Sequence, residues 1–369
     1  MGGYNVDRNE FVELVKRLCG VVGPSGREHD VRGLVIDLVR DYADGLWVDS
    51  LGNVIALKRG GGVYRFLLAA HMDEIGLFVS FIEDSGFLRV QPIGGVGERA
   101  LVFQRVLVKT RDGRVYRGVI GLKPPHAAKP EELRQVPEIK DLFVDVGARS
   151  RDEVKAMGID VGDVIVFDRD VALLGSDRIT GRGFDDRLGL AVAIKAFQMI
   201  ERSEADIYLV ATVQEEVGLK GARTTSFSID PHIALAIDTT VANDLPGTPQ
   251  SEWVTALGKG PAIKIADGRG SSGIIVHKEI VDKLIEVANK LGIPYQLEVL
   301  PGGTTDASAI QLNREGVPTG VVSIPTRYLH SPVEVADIND AINAIKLVKG
   351  FAEALTPEYI EGLKKRKIK

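Results

Sequence analysis

The sequence predicts an α/β fold split by a small β-rich insert, and three observations carry that prediction. Short apolar runs of strand length alternate with longer amphipathic runs at helical spacing on either side of a central segment. Within that segment, from about residue 76 to 167, β-branched and alternating runs are broken by Gly94, Gly95, Gly97, Gly113, Gly118 and Gly121. Beyond it the alternation of helix and strand resumes. Residues 1–74 and 173–369 are therefore expected to form one discontinuous domain, and residues 75–172 an inserted one.

In chain order, Ser25-Gly26-Arg27-Glu28 has the spacing of a capping box, and Val31, Leu34, Val35, Leu38, Val39 and Tyr42 follow with the period of an amphipathic helix. The stretches 46–48, 54–57 and 66–70 read as strands, with Gly52-Asn53 as a plain turn between the first two. The third is uniformly apolar, as central strands covered on both faces are, and it ends on His71. After the insert come a helix at 188–200, strands at 207–213 and 233–237, and a helix at 278–291 stopped by Gly292. A strand at 319–324 and a helix at 338–355 complete the pattern. The basic end Lys364-Lys365-Arg366-Lys367 reads as a solvated tail.

Composition narrows the function. A chain of 369 residues, 44% hydrophobic and 26% charged, is long enough for one large core and a smaller second one. Its net charge of −5, with both signs interspersed, lacks the concentrated positive field that a nucleic-acid surface needs. No apolar run reaches the roughly 18 to 20 residues of a membrane span, and the opening MGGYNVDRNEF does not read as a signal peptide, so a cytoplasmic location is expected. Cys19 is the single cysteine, so a metal site would have to be built from His, Asp and Glu. Scarce Asn, Gln, Cys and Met beside plentiful Arg, Lys and Glu fit a thermophile.

Five strand-like runs carry a carboxylate or histidine at their far end, where open α/β sheets place their ligands. In Ala69-Ala70-His71-Met72-Asp73, residues two apart share a side, so Asp73 is placed to accept the second ring N–H of His71. Asp185-Asp186, before the run at 188–200, reads equally well as a helix cap or as a pair in which one acid turns outward to bridge two cations. Glu215-Glu216 directly follows a buried strand, and adjacent side chains diverge. One of them is expected to bind metal and the other to act as a general base. Asp238 and His330 end two further runs. Together these supply two histidines and several acids, a donor set for a pair of divalent cations.

The chain resembles the tetrahedral (TET) aminopeptidases, a branch of the co-catalytic dinuclear zinc exopeptidases whose members are also labelled glutamyl aminopeptidase, deblocking aminopeptidase or cellulase. The segments that carry the resemblance are VGPSGREHDVR, VDSLGNVIA, AAHMDEIG, PIGGV, VDVGA, FDDRLG, ATVQEEVGLKGART, AIDTT, LGKGPAIKI, GGTTDA and RYLHSPVE, in that order. The resemblance implies a mixed-sheet catalytic domain with a PDZ-like dimerisation insert. It also implies one metal held by His71, Asp185 and Asp238, a second held by Asp185, Glu216 and His330, Glu215 as catalytic base and Asp73 as the acid that orients His71. Zn²⁺ is the expected ion, with Co²⁺ or Mn²⁺ as alternatives, short peptides the substrates, and a tetrahedral homododecamer built from dimers the assembly. Around Ala242 to Pro249 and Gly260 to Asp267 the chain looks most like members that favour leucine and other neutral residues. A polysaccharide hydrolase would call for more than 6% aromatics and no paired histidines, and a purely structural metal site would have no use for a base at Glu215.

Overall fold

The computed structural model describes residues 5–124, 126–130 and 134–363. The basic run Lys364-Lys365-Arg366-Lys367 lies outside the described residues. The first domain begins with α1 (Arg8–Gly20), α2 (His29–Val39), β1 (Gly45–Val48), β2 (Val54–Lys58) and β3 (Tyr64–His71). The insert follows as β4 (Gly76–Ile82), β5 (Leu88–Ile93), α3 (Glu98–Leu101), β6 (Arg105–Lys109), β7 (Val115–Gly121), β8 (Phe143–Asp145), α4 (Arg151–Ala156) and β9 (Val164–Phe167). The chain returns through β10 (Ala172–Leu174), β11 (Arg178–Gly181), α5 (Phe184–Met199), β12 (Ala205–Thr212), α6 (Lys220–Ile229) and β13 (Ile233–Val241). It ends with β14 (Ala262–Ala266), α7 (Lys278–Leu291), β15 (Gln296–Val299), α8 (Asp306–Ile310), β16 (Thr319–Arg327), β17 (Glu334–Asp337), α9 (Ile338–Glu353) and α10 (Pro357–Leu363).

The main sheet has eleven strands, along the path β1-β2-β12-β3-β13-β16-β17-β11-β10 with β14 and β15 branching from β16. It is mixed: β12, β3, β13 and β16 run parallel, while β2, β14 and β17 pair antiparallel to their neighbours in that set. The middles of the parallel strands, 66–70, 209–211, 233–237 and 321–322, are apolar because both faces are covered. The first face carries α1, α5, α7 and α9, packed as one core with Phe66, Leu68, Leu235 and Val322; α6 and α8 cover the other over Leu67, Ala69, Val210 and Ala234. The helix α5 is apolar nearly all round, as a helix buried between the sheet and its neighbours must be. The PDZ-like insert takes the form of a closed antiparallel barrel, β4-β5-β8-β7-β6-β9, with its own core of Leu77, Val79, Val106, Val108, Ile120, Val144 and Ile165. No helix among the described residues is long and apolar enough to cross a membrane.

Three local expectations change. Ser25 does not cap α2: Glu28 is the N-cap residue, without a side-chain cap bond, and Ser25 is buried with its hydroxyl donating to Asp73 Oδ2 at 2.6 Å. Asn53 is more than a turn residue. Its fully buried amide donates to Asp49 and accepts from Val213 N, tying the β1–β2 turn to the end of β12. The strand ending in Asp238 runs on to Val241, because β16 extends to Arg327 and offers it continued pairing.

Candidate active site

The parallel strands deliver their carboxyl ends to one place. His71 is the last residue of β3 and sits level with Thr212 at the end of β12, three residues before Glu215. On the other side of β3 pairing stops at Ala69 and Ala236, so two residues further on Asp238 stands beside His71. Its Oδ1 is 3.9 Å from His71 Nε2.

Asp185 stands between two imidazoles. Its Oδ1 is 3.2 Å from His71 Nε2 and its Oδ2 is 3.2 Å from His330 Nε2. Glu216 Oε1 lies 3.2 Å from that same nitrogen of His330, and Glu215 Oε2 lies 3.9 Å from His71 Nε2. The other nitrogen of each ring faces a carbonyl, which only accepts, so Nδ1 must carry the proton. His71 Nδ1 donates to the Asp73 carbonyl at 3.2 Å, and His330 Nδ1 donates to the Gly95 carbonyl at 3.0 Å. Both Nε2 atoms are thereby turned toward the acids, where they hold a proton in the absence of a cation and would offer a lone pair to one. The Gly95 contact belongs to the insert, and a side chain there would crowd the ring: a Cβ on Gly95 would meet His330 Nδ1 at 3.0 Å.

The two acids at 185 and 186 divide the roles that the sequence left open. Asp186 caps α5, accepting from Gly189 N at 3.1 Å, and its second oxygen accepts from His71 N at 3.3 Å. Asp185, outside helical geometry, keeps both oxygens for the histidines. Among the described residues two groups place all their ligand atoms within 4.8 Å of one another: His71, Asp185 and Glu216, and His71, Asp186 and Asp238. The oxygens of Asp186 thus already accept backbone hydrogen bonds, whereas those of Asp185 face the two histidines.

Turns and buried acids hold the cluster. The Asp73 side chain lies 3.5 Å from His71 Nδ1, beyond the carbonyl contact, and its oxygens accept from Glu215 N at 3.0 Å, Glu216 N at 3.2 Å and the Ser25 hydroxyl. Gln214 and His330 both adopt left-handed backbone conformations, φ 55° and 59°, which cost a non-glycine residue about 1–3 kcal/mol unless the surroundings impose them. Glu28 Oε1 accepts from Gln214 N, and Glu334 Oε1 accepts from His330 N at 3.0 Å. The second oxygen of Glu334 accepts from Phe184 N at 2.6 Å and Asp185 N at 3.4 Å, so one buried carboxylate fixes two of the turns. Sequence reasoning missed Ser25, Glu28 and Glu334 in these roles because their partners are distant in sequence, the Asp73 side chain for Ser25 and backbone groups up to 186 residues away for the two glutamates.

Electrostatically the cluster calls for cations. Burial and the neighbouring Asp185 raise Asp238 well above the carboxylate range, and burial does the same for Glu215. Burial also raises Glu216, and takes Asp306, behind Thr212, to about 6. Burial opposes protonation of the histidines, yet Asp185 with Asp73 carries His71 well above its ordinary range, and Asp185 with Glu216 carries His330 to about 12. Asp185, between the two rings, is held far below despite its burial, and Asp73 beside His71 is lowered too. Protons are thus drawn in wherever cations are not supplied, and Glu216 Oε1 is buried without a well-aligned hydrogen-bond donor among the described residues. A donor set of two neutral imidazoles and several carboxylates fits divalent metal. All seven residues singled out in the sequence, His71, Asp73, Asp185, Glu215, Glu216, Asp238 and His330, meet in this one cluster.

Comparison with known proteins places the chain in a family. The model of the M42 glutamyl aminopeptidase family matches residues 52–347. A lysyl aminopeptidase of Pyrococcus furiosus is 43% identical over 349 residues, covering 94% of this chain and 97% of the relative. Among solved structures, aminopeptidase APDkam598 from the archaeon Desulfurococcus kamchatkensis superposes with a TM-score of 0.95 at 57% identity, covering 98% of this chain and 99% of that one. The TET1 peptidase of Pyrococcus horikoshii, described as assembling into a tetrahedron or a large octahedral shell, gives 0.83 at 36% identity, covering 94% and 100%. The chain therefore belongs to the M42 glutamyl aminopeptidase family and is a metallo-aminopeptidase.

Proposed function

We propose that this enzyme removes the N-terminal residue of short peptides with two divalent cations that share Asp185. His71 and Asp238 complete one position, and Glu216 and His330 the other. The observation that carries this reading is the carboxylate of Asp185, with each oxygen 3.2 Å from the Nε2 of a different histidine. Zn²⁺ is the ion best suited to these borderline nitrogen and oxygen donors, with Co²⁺ or Mn²⁺ as alternatives. When bound, the pair would acidify a water and polarise the scissile carbonyl.

The remaining steps fall to the chain. Glu215 is nine-tenths buried, and burial raises its proton affinity toward what a general base needs. It takes a proton from the attacking water and passes it to the leaving amine. Asp73, accepting from the backbone N–H groups of both Glu215 and Glu216, sets the direction in which these neighbours diverge and fixes the carbonyl that orients His71. The free carboxylate oxygens around the site are suited to the substrate's α-ammonium group, which confines cleavage to the first residue. Leucine and other neutral residues are the favoured side chains, and residues 75–172 form the dimerising insert of a tetrahedral dodecamer. Chelation followed by an assay on leucyl, glutamyl and lysyl chromogenic substrates tests the reading. Leucyl cleavage should vanish and return with added metal, whereas metal-independent turnover or a clear glutamyl preference would refute it.

A further inference from the structure

The cavity that reaches Asp185, Glu215, Glu216 and His330 has a volume of about 900 Å³, and Lys264 is also part of its wall. Lys264 lies on β14, directly across from Glu298 on β15, and is fully buried. Its Nζ is 3.3 Å from Glu298 Oε1 and 3.5 Å from Asp267 Oδ2. Both acids are themselves fully buried, and neither lines the cavity. Each is fixed from behind. The Thr240 hydroxyl donates to Glu298 Oε1, while Ile274 N and the Thr304 hydroxyl donate to Asp267 Oδ1 at 2.8 and 2.9 Å. No well-aligned hydrogen bond among the described residues reaches Asp267 Oδ2, Glu298 Oε2 or the Lys264 ammonium, so the three are joined by charge at these distances. Lys264 thus stands between the cavity and two anions, and it supplies the cation they face.

In an exopeptidase the first side chain must enter space beside the reacting carbonyl, and this cavity is the one that Asp185, Glu215, Glu216 and His330 line. We propose that Lys264, held between Asp267 and Glu298, determines side-chain preference by occupying the position that a basic substrate side chain would take. The two acids turn acidic side chains away, and the closed ionic trio leaves neutral side chains as the ones accepted. A lysyl substrate has no anion left to meet, and burying its ammonium without one is costly. The inference rests on the aminopeptidase reading of the same cavity and gives the neutral preference a residue.

The test compares kcat/KM ratios for leucyl, lysyl and glutamyl p-nitroanilides on the metal-loaded enzyme. Lys264→Ala removes the ammonium and empties the space it fills, which opens the two anions to the cavity. The lysyl-to-leucyl ratio should rise by about tenfold or more, the scale on which an unpaired buried group discriminates between substrates. The double variant Asp267→Asn, Glu298→Gln leaves the ammonium without counter-charge, so the glutamyl-to-leucyl ratio should rise by a similar factor. A ratio that stays within about twofold of the parent in a folded variant overturns the proposal. Thermal denaturation reports folding, and if the alanine variant does not fold, the near-isosteric amide variant decides alone. A parent enzyme that itself prefers lysine or glutamate refutes the neutral-preference reading, while the change in ratio between parent and variant still decides whether Lys264 governs the choice.

Discussion

Replacing Glu334 with alanine should loosen two turns of the active site at once. Its carboxylate accepts from Phe184 N at 2.6 Å and His330 N at 3.0 Å, with a longer contact to Asp185 N at 3.4 Å. A buried N–H left without an acceptor costs about 1–3 kcal/mol, so the two good bonds bound the loss at about 2–6 kcal/mol. Part of this is offset, because burial and the nearby Asp185 disfavour the charge of Glu334 and the alanine removes that burden. A net loss of about 2–3 kcal/mol is therefore expected. The functional effect should be more specific than the loss of stability. Asp185 and His330 are the residues whose backbones are released, and groups that orient metal ligands typically govern about 10- to 100-fold in affinity. Competition with a chromophoric chelator measures that affinity, and Glu334→Gln, which keeps one acceptor oxygen, should fall between the parent and the alanine variant. If Glu334→Ala binds metal as tightly as the parent, the account of how these turns are held is wrong.

Further outcomes follow from other parts of the molecule. Glu215→Gln should retain its metals and lose about 10²- to 10⁴-fold in kcat, the usual share of a general base, and a variant with parental turnover would remove Glu215 from that role. Cys19 is buried and burial pushes its thiol up to about 12, so it should not react with an aromatic disulfide reagent at pH 8 until the protein is unfolded. Rapid labelling of the native enzyme would contradict this. Asp340, which accepts from Gly258 N and Gly260 N, is raised by burial from its ordinary 3.8 to about 6. The folded state therefore holds this proton more tightly than the unfolded chain, and the resulting stabilisation is complete below 3.8 and lost as pH rises through about 6. It amounts to at most about 3 kcal/mol. The stability of the parent relative to Asp340→Asn should accordingly grow as pH falls from neutrality toward 4, and a difference independent of pH would refute the assignment.

How far the sequence could be read depended on the range of the interactions. The apolar run before His71, the helix stopped by Gly292 and the glycine-broken insert are local patterns, and each emerges as the element expected. Most ligand candidates were legible for the same reason, since His71 ends β3 and Glu216 and His330 follow β12 and β16 closely, while Asp238 lies within β13 and Asp185 at the start of α5. Positions whose partners are distant were not. Ser25 carries a capping signature and instead donates to Asp73, 48 residues on; Asn53 looks like a turn residue and accepts from Val213; Glu334 follows a proline-containing loop and holds backbone groups 150 residues earlier. Asp185 and Asp186 lie between these cases. Two acids before a helix were a sound sign of capping, but only the meeting of β3, α5 and the His330 turn separates the residue that caps from the one that faces both histidines.

That separation is the centre of the account, and counting metals tests it most directly. Elemental analysis of the parent enzyme, loaded with Zn²⁺ and freed of excess, should give two ions per subunit. The same analysis of Asp185→Ala should give neither ion at appreciable occupancy, because the residue that faces both His71 and His330 is gone. One fully occupied ion retained in Asp185→Ala, or a single ion in the parent, would contradict a pair of cations bridged by Asp185.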